Sequence, residues 1–197
     1  MGKAYVIAGT PGTGKSTIGR KIAEMCSVDI VNLSTIAIEM GLISMYDDLR
    51  DTYVIDEEKL VEFIVKLAES RSGPLVIMTH YPEIIPKDLV EKIYVLRTHP
   101  LVLERRLEER GWKREKIYEN VMAEILGVIL SSAVEAFGED RIYELDTTKV
   151  SPEEVAQVIC NSMRGIDNLK PGSSIDWLSA VDPKEVARFK DYVGSEN

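Results

Sequence analysis

The stretch Gly9-Thr10-Pro11-Gly12-Thr13-Gly14-Lys15-Ser16-Thr17 constrains this chain more than any other. It fits the phosphate-binding pattern G-x-x-x-x-G-K-[ST], in which each residue type has a physical reason. Gly9, Gly12 and Gly14 can take backbone angles closed to other residues, and they put no side chain between backbone N–H groups and a phosphate. Inward-turned N–H groups make an anion nest. Lys15 has the length to reach β- and γ-phosphates, and the Ser16 hydroxyl suits Mg²⁺. The flanks agree with the pattern. Ala4-Tyr5-Val6-Ile7-Ala8 reads as a buried parallel strand. Ile18, Ile22, Ala23 and Met25 follow at roughly helical spacing, so a helix points its positive end at the same site.

The rest of the chain alternates strand and helix, which predicts a parallel α/β sheet. After the first helix, Val28 to Val31 reads as the second strand. Ser34 is placed to cap a short helix from Thr35 to Met40. Residues 41–55 show no clear periodicity, and Asp56 caps a helix carrying Leu60, Phe63, Ile64 and Leu67. Leu75 to Met78 and Ile93 to Leu96 are the third and fourth strands. Pro100 opens a helix reaching about Arg110. One longer helix then carries Ile117, Val121, Ile125, Leu126, Ile129, Leu130 and Ala133 up to Gly138. Arg141 to Leu145 is the fifth strand, and Ser151-Pro152-Glu153-Glu154 starts a helix running to about Met163. Beyond Arg164, Gly165, Pro171 and Gly172 suggest extended chain. Ile175, Trp177 and Leu178 are expected to dock back on the domain, followed by a short helix from Pro183 to Tyr192.

At 197 residues the chain is expected to form one domain over 1–163, with a tail over 164–197. No run of about 18 apolar residues offers a spanning helix. The first strand begins too early for a signal peptide, so the protein is expected in the cytosol, or the nucleus where one exists. Cys26 and Cys160 lie in apolar helix patterns and read as buried thiols rather than a disulfide or metal site. The net charge of −9 argues against a large direct RNA or DNA surface. It permits a basic protein partner, and equally well serves solubility alone.

A phosphate loop implies a nucleoside triphosphate without naming the acceptor. Further cations are therefore sought, because phosphoryl transfer rests on positioning and charge neutralisation. Arg105-Arg106-Leu107-Glu108-Glu109-Arg110-Gly111-Trp112-Lys113-Arg114 is the best stretch. Arg106 and Arg110 are four apart, on one helix face, and Gly111 offers a hinge. The stretch suits a lid that swings guanidinium groups over a nucleotide. It equally suits a solvated face with Glu–Arg pairs. At the third strand, Val76-Ile77-Met78-Thr79-His80 carries no carboxylate for Mg²⁺. His80 lies at the strand's carboxyl end, where ligands bind in such sheets, and Glu83 is a nearby substitute carboxylate.

Together these segments resemble the sixth type of adenylate kinase, the archaeal and eukaryotic nuclear form tied to small-subunit ribosome maturation. The resemblance covers residues 4 to about 160. It rests on the phosphate loop with Thr10-Pro11, on Tyr46-Asp47 with Asp51 and Val54 to Glu57, and on Leu96-Arg97-Thr98 with Leu103, Arg106 to Glu108 and Arg110 to Trp112. Asn120 and Glu124-Ile125 continue it, and Lys170 to Gly172 with Ile175 to Leu178 match the tail of archaeal members. The resemblance implies a P-loop NTPase fold of the nucleoside monophosphate kinase type, α/β, with a five-stranded parallel sheet in the order 2-3-1-4-5 and a short lid. It implies ATP-dependent phosphorylation of AMP or another nucleoside monophosphate, slow ATPase activity, and binding to a basic small-subunit ribosomal protein of the platform. Carried over by position, Gly12, Gly14, Lys15, Ser16 and Thr17 hold ATP with Arg110 from a lid near 109–119, and Lys149 approaches the adenine. Lys15, His80, Arg106 and Arg110 are the catalytic candidates, Ser16 is the Mg²⁺ candidate, and the acceptor segment is about 30–56. Two positions depart from the family. Its Asp-x-His signature reads Met78-Thr79-His80, and the arginine expected before Glu39 is Ile38, with Arg50 a possible replacement. The alternatives are an ATP-gated assembly factor with little kinase activity, or a kinase for another small molecule such as shikimate or gluconate.

Overall fold

The computed structural model describes residues 3–47, 52–166 and 169–190. Arg50 and Asp51, assigned to the acceptor side above, lie outside the described residues, as does Tyr192. Five strands make the central sheet: β1 (Ala4–Ala8), β2 (Asp29–Asn32), β5 (Leu75–Thr79), β6 (Val90–Arg97) and β7 (Ile142–Asp146). Their order is β2-β5-β1-β6-β7 and every pairing is parallel. Counting only these strands along the chain, the order is the expected 2-3-1-4-5. The central strands are apolar throughout because helices cover both faces. On one face, Ile18 and Ile22 of α1 (Lys15–Cys26) and Val155 and Ile159 of α7 (Pro152–Met163) pack on Ile7, Val76 and Tyr94. On the other, Leu33, Leu60, Ile64 and Phe137 pack on Val6, Ile77 and Val95.

Within the stretch that carries no legible period, β3 (Ile43–Asp47) and β4 (Thr52–Ile55) pair as antiparallel strands. Met45, Tyr46, Tyr53 and Val54 are all exposed, so no buried face imposes an alternation. The Tyr46 and Tyr53 rings meet edge to face at 5.0 Å across the pair. The helix before β3, α2 (Leu33–Glu39), is capped by the Asn32 side chain rather than by Ser34. Asp56 does cap α3 (Glu57–Glu69), and Ser151 with Glu154 closes a capping box on α7.

The long helix expected from Ile117 to Ala133 is two. α5 (Arg114–Ile125) and α6 (Val128–Phe137) meet at a 49° bend. Gly127 turns the chain with φ of 63°, and the Glu124 carbonyl at the break accepts Arg97 Nη2 at 2.9 Å. A buried arginine thus takes a carbonyl that a continuous helix would use for itself. Among the described residues no single helix is long and apolar enough to cross a membrane. The preceding helix, α4 (Pro100–Glu108), ends before Arg110 as Gly111 takes φ of 72° and Trp112 N–H returns to the Leu107 carbonyl.

The C-terminal segment runs along the β7 edge, where Gly172 N–H donates to the Ile142 carbonyl at 2.8 Å. Ile175 and Trp177 are half-buried, whereas Leu178, expected to pack with them, is exposed. After the short helix α8 (Trp177–Ala180), α9 (Pro183–Lys190) seats Val186 and Phe189 against Leu103, Ile117 and Val121 of α4 and α5.

The cysteines correct the sequence reading. Cys26 and Cys160 are joined as a disulfide, with Cα atoms 6.1 Å apart, because α1 and α7 lie side by side. Two apolar helix positions 134 residues apart gave no sign that they would face each other. The expected result is no free thiol in the denatured, unreduced chain by thiol titration, against two after reduction. Reduction is expected to cost about 2–4 kcal/mol of stability. Two titratable thiols without reductant contradict the pairing.

Candidate active site

The site is built where β1 stops and α1 starts. Gly9, Gly12 and Gly14 take φ of 148°, 95° and 103°. These angles disfavour side chains, and space does too. A Cβ on Gly9 would stand 2.6 Å from the Leu96 carbonyl oxygen, and one on Gly12 would stand 2.6 Å from Leu103 Cδ1. The loop therefore lies against β6 and α4 as bare backbone. Gly14 caps α1 in the left-handed region, leaving Ser16 and Thr17 exposed at the helix N-terminus.

Lys15 folds back over the loop. Its Nζ donates to the Gly9 carbonyl at 2.5 Å and the Thr10 carbonyl at 3.2 Å. Burial away from water pushes the ammonium down to about 7; the Glu124 carboxylate opposes this and the Arg110 charge adds to it. A lysine so placed is short of negative charge. That deficit, with the cradle that a Cβ would fill, fits a bound polyphosphate.

His80 follows β5, and its Nδ1 stands 3.5 Å from Ser34 Oγ, the outer limit of a hydrogen bond. Burial, with the Lys15 charge adding, pushes the imidazole down to about 4. His80 is thus neutral near pH 7 and acts as a hydrogen-bonding group rather than a proton donor. Met78 is buried beside Asn32 on β2 and turns its sulfur onto Gly19 of α1. Among the described residues no group of three or more His, Cys, Asp or Glu side chains stands ready for a metal. Glu83 is exposed in a 3₁₀ turn over Pro82–Ile84.

The two lid arginines separate. Arg106 is pinned, donating to the Thr147 carbonyl at 2.8 Å and to Thr98 Oγ1 at 3.3 Å. Arg110 lies beyond the end of α4, exposed, yet near enough for its charge to act on Lys15. Lys149 is exposed two residues after Thr147, whose hydroxyl donates to the Thr13 carbonyl at 2.9 Å. That bond anchors the loop after β7 to the phosphate loop. Ile38 is exposed on α2.

A cleft of about 450 Å³ opens from Thr10 and Pro11, past His80, between Tyr53 of β4 and Trp112 and Lys116 at the start of α5. Among the described residues Lys116 is the lysine that lines it, and sequence spacing does not single it out. Lys116 lies 5.3 Å from the Trp112 ring centroid. Glu124 was placed only by resemblance. A carboxylate within the run Val121 to Ile125, on the apolar side of a helix, is the signal that could have marked it as a buried hub.

A family model described as an AAA domain matches residues 6–127. A protein of Sulfurisphaera tokodaii provisionally named adenylate kinase is 40% identical over 192 residues, spanning 97% of this chain and 98% of the relative. The chain belongs to this adenylate kinase-like family. A Caenorhabditis elegans relative, named adenylate kinase isoenzyme 6 homolog, is 35% identical over 156 residues, 79% of this chain and 86% of its own. Among solved structures, shikimate kinase from Acinetobacter baumannii in complex with shikimate superposes with a TM-score of 0.58 at 13% identity, over 85% of this chain and 96% of that one. That likeness is one of fold alone: a P-loop kinase sheet with flanking helices.

Proposed function

We propose that this chain is an ATP-dependent nucleoside monophosphate kinase that converts ATP and AMP to two ADP and slowly hydrolyses ATP when no acceptor is bound. The observation that carries the reading is the cleft of about 450 Å³, which opens directly from the phosphate loop. It falls in the size range of small-ligand sites and would bring an acceptor to the end of the triphosphate.

Lys15 would neutralise charge as it develops on the transferring phosphoryl group, and Arg110 would close on the same oxygens. Backbone N–H groups of the loop and the first turn of α1 would hold the β- and γ-phosphates. Ser16 is exposed at that turn and would hold Mg²⁺ together with phosphate oxygens, because the Met78 thioether is no ligand for a hard cation. Mg²⁺, when bound, supplies charge neutralisation across the β- and γ-phosphates. Lys149 would flank the adenine. Neutral His80 would orient water or an acceptor oxygen.

Nucleotide binding would return Lys15 to its charged form. Its pKa is then higher in the complex than the value of about 7 in the free chain, so the complex holds more protons between the two values. Affinity for MgATP therefore falls as pH rises above about 7. Calorimetric titration at pH 8 in buffers of different ionisation enthalpy is expected to read uptake of roughly one proton. No uptake contradicts the assignment.

A second reading is favoured by Met78. Without a carboxylate there, the nucleotide cycle would gate binding to a basic small-subunit ribosomal protein in ribosome maturation, with the net charge of −9 as the attracting field. That partner rests on the family resemblance, whereas the cytosolic setting is an expectation from the sequence alone. A disulfide is unusual in that compartment, so the thiol count above also bears on it. Transfer of labelled γ-phosphate from ATP to a panel of nucleoside monophosphates separates the readings. Label in a nucleoside diphosphate supports the kinase. Label only in free phosphate, with ATP-dependent capture of the ribosomal protein, supports the gate.

A further inference from the structure

The C-terminal segment reaches the back of the phosphate loop through one buried carboxylate. Glu124 is 2% exposed. Its Oε1 accepts Arg97 Nε at 2.8 Å, Thr98 N–H at 3.0 Å and Trp177 Nε1 at 3.2 Å. Its Oε2 accepts the Thr10 hydroxyl at 2.6 Å. Thr10 is equally buried, and its carbonyl accepts Thr13 Oγ1 at 2.8 Å and Lys15 Nζ at 3.2 Å. A continuous path of hydrogen bonds thus runs from Trp177 through Glu124 and Thr10 to Lys15.

The tail is held where this path begins. Ser174 N–H and Ile175 N–H donate to Glu144 Oε2 at 2.6 and 2.8 Å. Arg97 Nη1 joins the other Glu144 oxygen at 2.5 Å and also reaches the Ile175 carbonyl at 3.4 Å. The Trp177 ring meets the His99 ring edge to face, with centroids 5.3 Å apart. Further on, Arg188 of α9 forms a two-pronged pair with Glu104 of α4 at 2.6 and 2.8 Å.

We propose that the C-terminal segment is a working part of the triphosphate site, with Trp177 a positioning residue that acts through Glu124 on phosphate-loop residue Thr10. The proposal rests on the reading that residues 9–17 hold ATP. Three donors on Oε1 fix the carboxylate plane, and that plane aims Oε2 at the Thr10 hydroxyl. Thr10 in turn sets the carbonyl that Lys15 leaves when it turns to a phosphate. The Glu124 charge also offsets part of the burial that depresses Lys15. Removing one donor from Oε1 loosens the carboxylate and the loop residue it holds, while the core of α4, α5 and α9 stays filled.

Trp177→Phe removes the indole N–H and keeps a ring against His99. Thr10→Val removes the hydroxyl at nearly constant volume. MgATP affinity of the full chain is measured by calorimetry for the unaltered protein, each single variant and the double variant. Each single variant is expected to bind about five-fold more weakly, the low end of a coupling between sites, and to melt a few degrees lower, because the bond it loses to the buried Glu124 is already made in the free chain. The double variant is expected to bind no more weakly than Thr10→Val alone, because both act along one path. The chain has two tryptophans, so Trp112→Phe leaves Trp177 as the sole indole emitter. In that background MgATP is expected to shift Trp177 emission, and Thr10→Val to abolish the shift. Unchanged affinity in Trp177→Phe, or fully additive losses, overturns the proposal while the ATP reading stands. No MgATP binding by the unaltered chain overturns the ATP reading, and this proposal with it.

Discussion

Lys15→Met is expected to lower ATP-dependent turnover by about 10³-fold while leaving the fold intact. The substitution removes a cation that, among the described residues, donates to the Gly9 and Thr10 carbonyls, and that burial already pushes down to about 7. Little stabilising interaction goes with it, because the charge is held at a cost in the free chain. What is lost appears only when phosphate charge is present. Single-turnover kinetics and a melting curve check both halves. A rate within ten-fold of the unaltered chain would mean that another cation carries the γ-phosphate. Arg110 is the first to suspect, since its charge already acts on Lys15.

Arg97→Leu is expected to be the most damaging single change to stability. The Arg97 side chain is 3% exposed and joins Glu124 at 2.8 Å and Glu144 at 2.5 Å, and these carboxylates are 2% and 1% exposed. Replacing the guanidinium leaves two buried carboxylates with no cation between them. Breaking a buried pair in this way costs roughly 3–5 kcal/mol. For a chain of this size that corresponds to a fall of about 6–20 °C in melting temperature. Arg97 also holds the Glu124 carbonyl at the α5–α6 break, so the same variant loosens the bend at Gly127. A fall under about 3 °C would show that the carboxylates find water or other donors once the arginine is gone.

The parts of the site that follow from local sequence were legible. The phosphate loop declares itself because its glycines meet backbone limits that no other residue satisfies, and Gly9 and Gly12 hold those conformations. The sheet order followed from the family resemblance, and the five apolar runs alternating with helices agree with it. What stayed hidden depends on contacts across the fold. Met45, Tyr46, Tyr53 and Val54 of the β3–β4 pair are exposed, so nothing in Met45, Tyr46 or Tyr53 announces a strand. The break between α5 and α6 depends on Arg97, some 27 residues from its partner Glu124. The Cys26–Cys160 pairing depends on two helices meeting across 134 residues. Arg106 and Arg110 looked equivalent at a spacing of four. Only the end of α4 at Glu108 separates an arginine tied to Thr147 from one left at the surface.

Met78 and Ile38 are the two residues on which the kinase reading turns. Met78 packs on α1 instead of offering a carboxylate, and Ile38 lies exposed where the family resemblance implies an arginine. Among the described residues, Lys116 is the cation that lines the cleft. ATP turnover with Mg²⁺, with and without AMP, while ADP and free phosphate are both followed, tests the account most directly. Two ADP formed per ATP consumed, with no phosphate released, is the result predicted. Phosphate release at a rate that AMP does not change would contradict it.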